Sequence, residues 1–228
     1  MPAGFSIYMT NNNAGGSQIF YTTDGKDPRQ RGGDVSPTAI AYTPGTPVLV
    51  NFPLILRARV RSGTTWSAIT EATFYPAQDF ANLLVTEIMY NPPGVGATSG
   101  DEFEFLELKN AGTNVIDLGG ANFDGITFTF TNGTRLDPGQ FFVLGRNLTT
   151  LAARYPGLVV NGLYTGKLDN GGENITLRHP LGTRILSVDY KDGGKWPLTP
   201  DGLGYSLVPK NPNANPNPDS PSNWPFEF

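Results

Sequence analysis

The sequence predicts an all-β protein made of two β-sandwich domains with one short helix. Three observations carry that expectation. The 228 residues include 28 Gly and 20 Pro, close to twice the usual share of the two residues that interrupt regular structure. Charged residues make up only 16% of the chain, against roughly 25% in an average globular protein, and long solvent-facing helices need more. Apolar residues alternate with polar ones, with a period of two, on both sides of a stretch around Pro76. At roughly 150 residues per domain, the length allows one to two domains.

The elements are read in order. Phe5, Ile7 and Met9 alternate with Ser6, Tyr8 and Thr10, the pattern of a half-buried strand. Residues 11–17 are a polar turn, and a second strand covers 18–23 before Asp24-Gly25 ends it. Residues 26–44 read as loop with short extended pieces. A hairpin is expected from 54–61 and 66–74. Leu54, Leu56, Ala58 and Val60 share one face of its first strand, and Ile55, Arg57, Arg59 and Arg61 share the other. A three-residue loop, Gly63-Thr64-Thr65, sets Arg57 opposite Glu71 and turns Trp66, Ala68, Ala72 and Phe74 to the apolar face. A two-residue loop sets Glu71 opposite Leu56, and a one-residue slip moves every side chain to the wrong face. The longer loop is therefore expected, with Trp66 buried.

Residues 75–82 (YPAQDFAN) read as a linker, because Pro76 cannot donate to a ladder and the alternation lapses. A new strand begins at Leu83 and stops at Asn91-Pro92-Pro93-Gly94. In the next, 102–108, the alternation changes phase between Phe105 and Leu106, which calls for a bulge or two-sided burial. Ile126, Phe128 and Phe130 alternate with Thr before Asn132-Gly133, a two-residue hairpin signal. The apolar run 140–144 reads as a buried strand. Asn147 is placed to cap a helix, since Leu148, Leu151, Ala152 and Tyr155 follow at helical spacing before Pro156-Gly157. Strands resume at 158–164, 174–178 and 183–190. From Pro209 onward the chain (PKNPNANPNPDSPSNWPFEF) is expected to be extended or disordered except where an aromatic anchors it. The expected domains are 1–77, 78–208 and a tail, 209–228.

Composition excludes several kinds of chemistry. There is no Cys, which removes disulfides, thiolate metal sites and Cys nucleophiles. His179 is the only His, which removes sites needing two imidazole ligands. A net charge of −4 argues against a general electrostatic hold on nucleic acid. No apolar run approaches the roughly 18 residues of a membrane-spanning helix. The opening MPAGFSIYMT has no signal-peptide pattern and is expected to begin a fragment carrying an added initiator Met.

Two segments resemble known families. Ile19-Phe20-Tyr21-Thr22-Thr23-Asp24-Gly25-Lys26-Asp27-Pro28-Arg29 and LRARVRSGTTWSAITEATF (56–74) resemble the chitobiase/β-hexosaminidase C-terminal domain, a small fibronectin-III-like sandwich, over about 1–75. That family usually begins one strand earlier, so this domain is expected to be truncated at its N-terminus. Four motifs over about 83–208 resemble the lamin tail domain, an immunoglobulin-like sandwich. They are VTEIMYNP (85–92), EFLELKN (104–110), LDPGQ (136–140) and LDNGGENITL (168–177). With no heptads before it and no prenylation Cys after it, the segment is similar to the bacterial branch. The resemblance implies a module of a large secreted or cell-surface protein, often beside a CotH-kinase-like domain, and no catalysis. It also implies an extracellular or cell-envelope location, with other domains of the same parent chain as neighbours.

Each chemical candidate has a structural alternative. His179, followed by Pro180, is expected to be a turn residue rather than part of a triad; Gly204-Tyr205-Ser206-Leu207 lacks the closing Gly of a nucleophile elbow. Calcium is a possible cofactor, with Glu87, Asp101, Glu102 and Glu104, or Asp169, Asn170 and Glu173, as candidate oxygen donors. Neither set has a known calcium-loop spacing. Glu87 and Glu104 could also form a glycosidase pair if a cleft set them about 5–10 Å apart. Arg57, Arg59 and Arg61 form a basic stripe able to meet phosphate or an acidic glycan. Trp196 and Trp224 could stack on sugars, though packing is the commoner fate of such rings. Asn132, Asn147 and Asn174 open glycosylation sequons that chance explains. The expected function is a non-catalytic binding, adhesion or spacer module with a protein or glycan partner. The alternative is a carbohydrate-binding appendage or a fragment of a polysaccharide-active enzyme. A ligand is expected at loops on one end of a sandwich or at an open sheet edge.

Overall fold

Alternating strands need partners for their backbone groups and a second layer for their apolar faces, and the fold supplies both twice. The structure, a computed structural model, describes residues 4–13, 15–214 and 217–224; the last four residues of the expected tail lie outside the described residues. Two units divide the chain, residues 1–78 and 79–228.

In the first unit, β1 (Phe5–Ile7) pairs antiparallel with β4 (Val48–Val50). Here β2 (Gln18–Thr22) lies between β3 (Ile40–Ala41) and β5 (Leu54–Ser62), and β5 also pairs with β6 (Thr65–Trp66) and β7 (Thr70–Phe74). Ile19, Tyr42, Val48 and Leu56 form the core, with Ile7, Val60 and Phe74 packed against it. Strand β4 was not expected; at three residues it is too short for its alternation to register.

Arg57 lies opposite Glu71 as the hairpin register requires, but the loop differs. Ser62 pairs with Thr65 and Arg61 with Trp66, so only Gly63-Thr64 remain in the turn. One extra residue between Trp66 and Thr70 then restores the register. Ser67 fills the irregularity: its N–H donates to Val60 O, and its Oγ accepts from Val60 N at 2.9 Å. The shorter turn places Trp66 on the arginine face, half-buried, rather than in the apolar core. Its ring lies 5.6 Å from Phe20 and 5.4 Å from the Arg61 guanidinium, and Nε1 donates to Gly33 O at 2.6 Å. Ala68 is exposed rather than inward.

The second unit is an immunoglobulin-like sandwich. One sheet holds β8 (Leu83–Met89), β9 (Phe105–Asn110), β13 (Phe141–Gly145) and β14 (Gly162–Leu163). The other holds β11 (Asn122–Asp124), β15 (Asn174–Arg178) and β16 (Arg184–Asp189), and a further pair joins β10 (Ile116–Asp117) to β12 (Arg135–Leu136). Ile88, Leu106, Leu108 and Leu144 from the first sheet meet Phe123, Ile175, Leu177 and Val188 from the second in one core.

The first sheet also buries part of its outer face. Met89, Phe105, Val143 and Leu151 form a separate cluster there, packed by Tyr155, Leu158 and Val160. This explains the phase change at Phe105 and Leu106 as two-sided burial; β9 itself keeps an unbroken register with β13. The bulge is in β8, where Thr86 is the extra residue between Val85↔Leu108 and Glu87↔Glu107. Helix α1 (Leu148–Arg154) covers this face. Asn147 Oδ1 caps it, accepting from Thr149 N at 2.9 Å and Thr150 N at 3.4 Å. The helix lies in the crossover that lets β14 pair parallel with β13.

Three expected elements differ. Over 126–130 the side chains Ile126 and Phe130 point into the core, but only isolated bridges form, Thr127 with Thr165 and Thr129 with Asn122. Asn132-Gly133 turns the chain, yet Leu136 goes on to pair with Ile116 instead of folding back on 126–130. The strand expected over 158–164 is reduced to Gly162–Leu163. In the tail, Trp224 is the anchoring aromatic, 2% exposed in the main core.

Candidate functional site

Glu104 follows a 3-10 turn (Gly100–Phe103) and leads into β9. It is 0% exposed. Oε2 accepts from Tyr164 Oη and from Leu168 N, each at 2.9 Å, while Oε1 has no partner among the described residues. Burial pushes its pKa up to about 7, against the pull of those two hydrogen bonds and of Arg146. Burial, then the Glu104 charge, raises Tyr164 in turn. Glu104 is therefore a buried structural acid rather than an open calcium ligand or half of a glycosidase pair. Its neighbour Glu102 does sit near the surface, accepting from Asn147 Nδ2 at 2.8 Å and lying 3.9 Å from Arg146.

The other carboxylates are dispersed. Glu87 Oε1 accepts from Ser206 Oγ at 2.5 Å, and Glu107 Oε1 accepts from Thr86 Oγ1 at 2.7 Å. Asp101 lies in the 3-10 turn, its N–H donating to Ser99 Oγ at 3.4 Å. Glu87, Asp101 and Glu104 do not come together: among the described residues, no three Asp, Glu or His side chains are placed to hold a metal ion. The second candidate set closes a turn on itself. Asp169 Oδ1 accepts from Gly171 N, Glu173 Oε1 accepts from Asp169 N, both at 2.8 Å, and Tyr190 Oη donates to Asp169 O at 2.9 Å. Gly172, at φ +95°, passes so near Tyr190 O that a Cβ would stand 2.5 Å from it.

The basic stripe is committed to the fold. Arg57 Nε donates to Glu71. Arg59 forms a two-pronged bond to Asp27, 2.8 and 2.7 Å, and its Nη1 donates to Ser67 O at 2.6 Å. The hydrogen bond from Arg59 holds the Asp27 carboxyl below the usual range. Arg61 lies over Trp66. Arg57 and Arg59 are thus paired with carboxylates, whereas the buried Arg61 Nε has no hydrogen-bond partner among the described residues. Arg59→Ala is expected to cost the first unit roughly 1–2 kcal/mol, because the fork is lost but Asp27 stays partly hydrated. Urea denaturation followed through Trp66 emission in a Trp196→Phe/Trp224→Phe background measures it.

Trp196 is not a sugar platform. It is 5% exposed, in the main core, with its ring 6.1 Å from that of Trp224 at 33°. Gly194, at φ +73°, turns the chain just before the indole, and Trp196 N donates to Gly193 O at 3.3 Å. His179 sits at a turn, where Gly182 N donates to His179 O and Nδ1 accepts from Leu181 N at 3.2 Å. Burial pushes its pKa down.

Among several open grooves, one of about 350 Å³ lies on the outer face of the first sheet and is lined by candidate side chains. Met89, Phe105 and Glu87 line its floor side, Tyr155 and Leu158 come from beyond α1, and Tyr205 and Ser206 come from the arm after β16. Tyr155 meets Phe105 edge-on, 5.8 Å between centroids at 78°. Tyr205 is half exposed. This mixture of rings, a hydroxyl and one carboxylate suits binding through stacking and hydrogen bonds. Sequence reading picked out Glu87 but missed Tyr155 and Tyr205, which strand and arm bring together from distant positions. It also missed Asn110 and Tyr164; the signal for Glu104 was an acid between Phe103 and Phe105 at a point of two-sided burial.

Comparison with curated proteins and with solved structures finds no match. The family model described as Lamin Tail Domain matches residues 76–192. The match takes in the capped helix, the buried Glu104 and the turn at Asp169–Glu173, and of the first unit only its last three residues, 76–78. The chain belongs to the lamin tail domain family.

Proposed function

We propose that the chain is a non-catalytic binding, adhesion or spacer module of a larger secreted or cell-surface bacterial protein. One observation carries this reading: the groups that could do acid–base chemistry are already used by the fold. Glu104 is enclosed and bonded to Tyr164 and Leu168, and Nδ1 of His179 accepts from its own turn. The lamin tail family is generally non-catalytic and immunoglobulin-like, which supports the same reading. The first unit is read as a chitobiase/β-hexosaminidase C-terminal-like domain, on Ile19 to Arg29 and Leu56 to Phe74. A partner would engage the groove beside Tyr155 and Tyr205, and a glycan-binding form of the proposal has its contact surface there rather than at Trp196.

The test pairs a glycan array with hydrolase assays on chitin, peptidoglycan and DNA, each with and without Ca²⁺. The expected result is no turnover on any substrate. Turnover that survives purification and vanishes on substituting Glu87, Glu104 or His179 overturns the proposal.

A further inference from the structure

Glu104 joins stretches that are far apart in sequence. Its Oε2 accepts from Tyr164 Oη and Leu168 N, both at 2.9 Å, and its main-chain oxygen accepts from Arg146 N at 3.0 Å. Tyr164 and Leu168 are themselves fully buried in the main core. The two carboxyl oxygens are unequal. Oε2 is held by two donors, whereas Oε1 is buried and has no partner among the described residues. A buried charge with half its lone pairs unsatisfied is costly, and neutralising it relieves most of that cost.

We propose that Glu104 is a proton-operated latch: a proton taken from solvent onto Oε1 closes residues 164–168 against the core, and its loss loosens them. Oε2 keeps both of its donors in the protonated form, so closing needs no rearrangement of the two hydrogen bonds. The proposal is independent of what the module binds.

The facing groups are divided: the bonds from Leu168 and Tyr164 favour the charged form, and burial works against them. Asp101, from the turn before β9, disfavours the charge on Glu104. Arg146, which follows β13, favours it, but its guanidinium lies 3.9 Å from Glu102 and is shared with that carboxylate. Tyr164 and Tyr190, after β14 and β16, are pushed up by burial and stay neutral. Burial outweighs the rest and brings the carboxyl to about 7, from an ordinary value of 4.5. The closed state therefore holds a proton more tightly than the open one. Latching is complete below about pH 4.5, weakens by about tenfold per pH unit as the pH rises toward 7, and is lost above that.

The experiment uses the whole chain. Carboxyl ¹³C chemical shifts follow Glu104 directly, and amide hydrogen exchange follows Leu168 N, corrected for the intrinsic pH dependence of exchange. Expected are a titration near 7 and Leu168 protection that falls by about tenfold per pH unit between about pH 5 and 7. In Glu104→Gln the protection should become independent of pH. A carboxyl that titrates near its ordinary value, or an unchanged pH dependence in Glu104→Gln, overturns the latch. Tyr164→Phe serves if the Gln variant does not fold. It removes one donor to the charged form, so the titration must move to higher pH, and a transition that stays in place also overturns the proposal.

Discussion

Trp196→Ala is expected to destabilise the second unit by about 3–5 kcal/mol, the usual cost of deleting a large buried aromatic. The indole is nearly inaccessible and packs on Trp224. Trp224 is in turn fastened by its Nε1, which donates to Pro218 O at 2.9 Å, and the backbone nearby is tied by Lys210 N to Asn223 O. Losing Trp196 opens a cavity and frees Trp224, which anchors the C-terminal stretch among the described residues, so both effects act together. Chemical denaturation at fixed pH measures the loss, and proteolysis after Pro209 should accelerate alongside it. A loss below about 1 kcal/mol would mean that the indole packs far less than its burial implies.

Asn110→Ala is expected to cost about 3–4 kcal/mol. The side chain is fully buried. Nδ2 donates to Asn114 O and Leu136 O, both at 2.8 Å, and Oδ1 accepts from Gly112 N at 3.0 Å. One amide thus satisfies three backbone groups across the end of β9, the following turn and β12. Alanine removes all three bonds at once, and each such buried or half-buried bond is worth about 1 kcal/mol. Asn110→Asp should be at least as harmful, because a carboxylate cannot donate to the two carbonyls it would face. Thermal unfolding of both variants beside the wild type checks the order; Asn110→Asp more stable than Asn110→Ala would contradict it.

Local features could be read directly. Asn147 and the spacing of Leu148, Leu151 and Tyr155 mark α1 because capping and helical periodicity act within a turn or two of chain. Arg57 opposite Glu71 followed from alternation along two adjacent strands. The phase change at Phe105 and Leu106 signalled two-sided burial, and the structure shows what covers the second side: α1 and the chain after it.

Other outcomes depended on partners that arrive from far along the chain. Trp66 turned outward because one residue moved from the hairpin loop into the strand near Ser67, a choice that alternation alone leaves nearly balanced. Glu104 differs from Glu102 by two positions, yet one is sealed beneath Tyr164 and Leu168 and the other meets solvent and Arg146. Trp196 reads like a loop aromatic until Trp224 closes over it. Periodicity, turn chemistry and capping are short-range effects, so they appear in the order of residues. Burial and pKa depend on the whole three-dimensional neighbourhood, so the roles of Glu104, Asn110 and Trp196 emerge only when strands distant in sequence pack together.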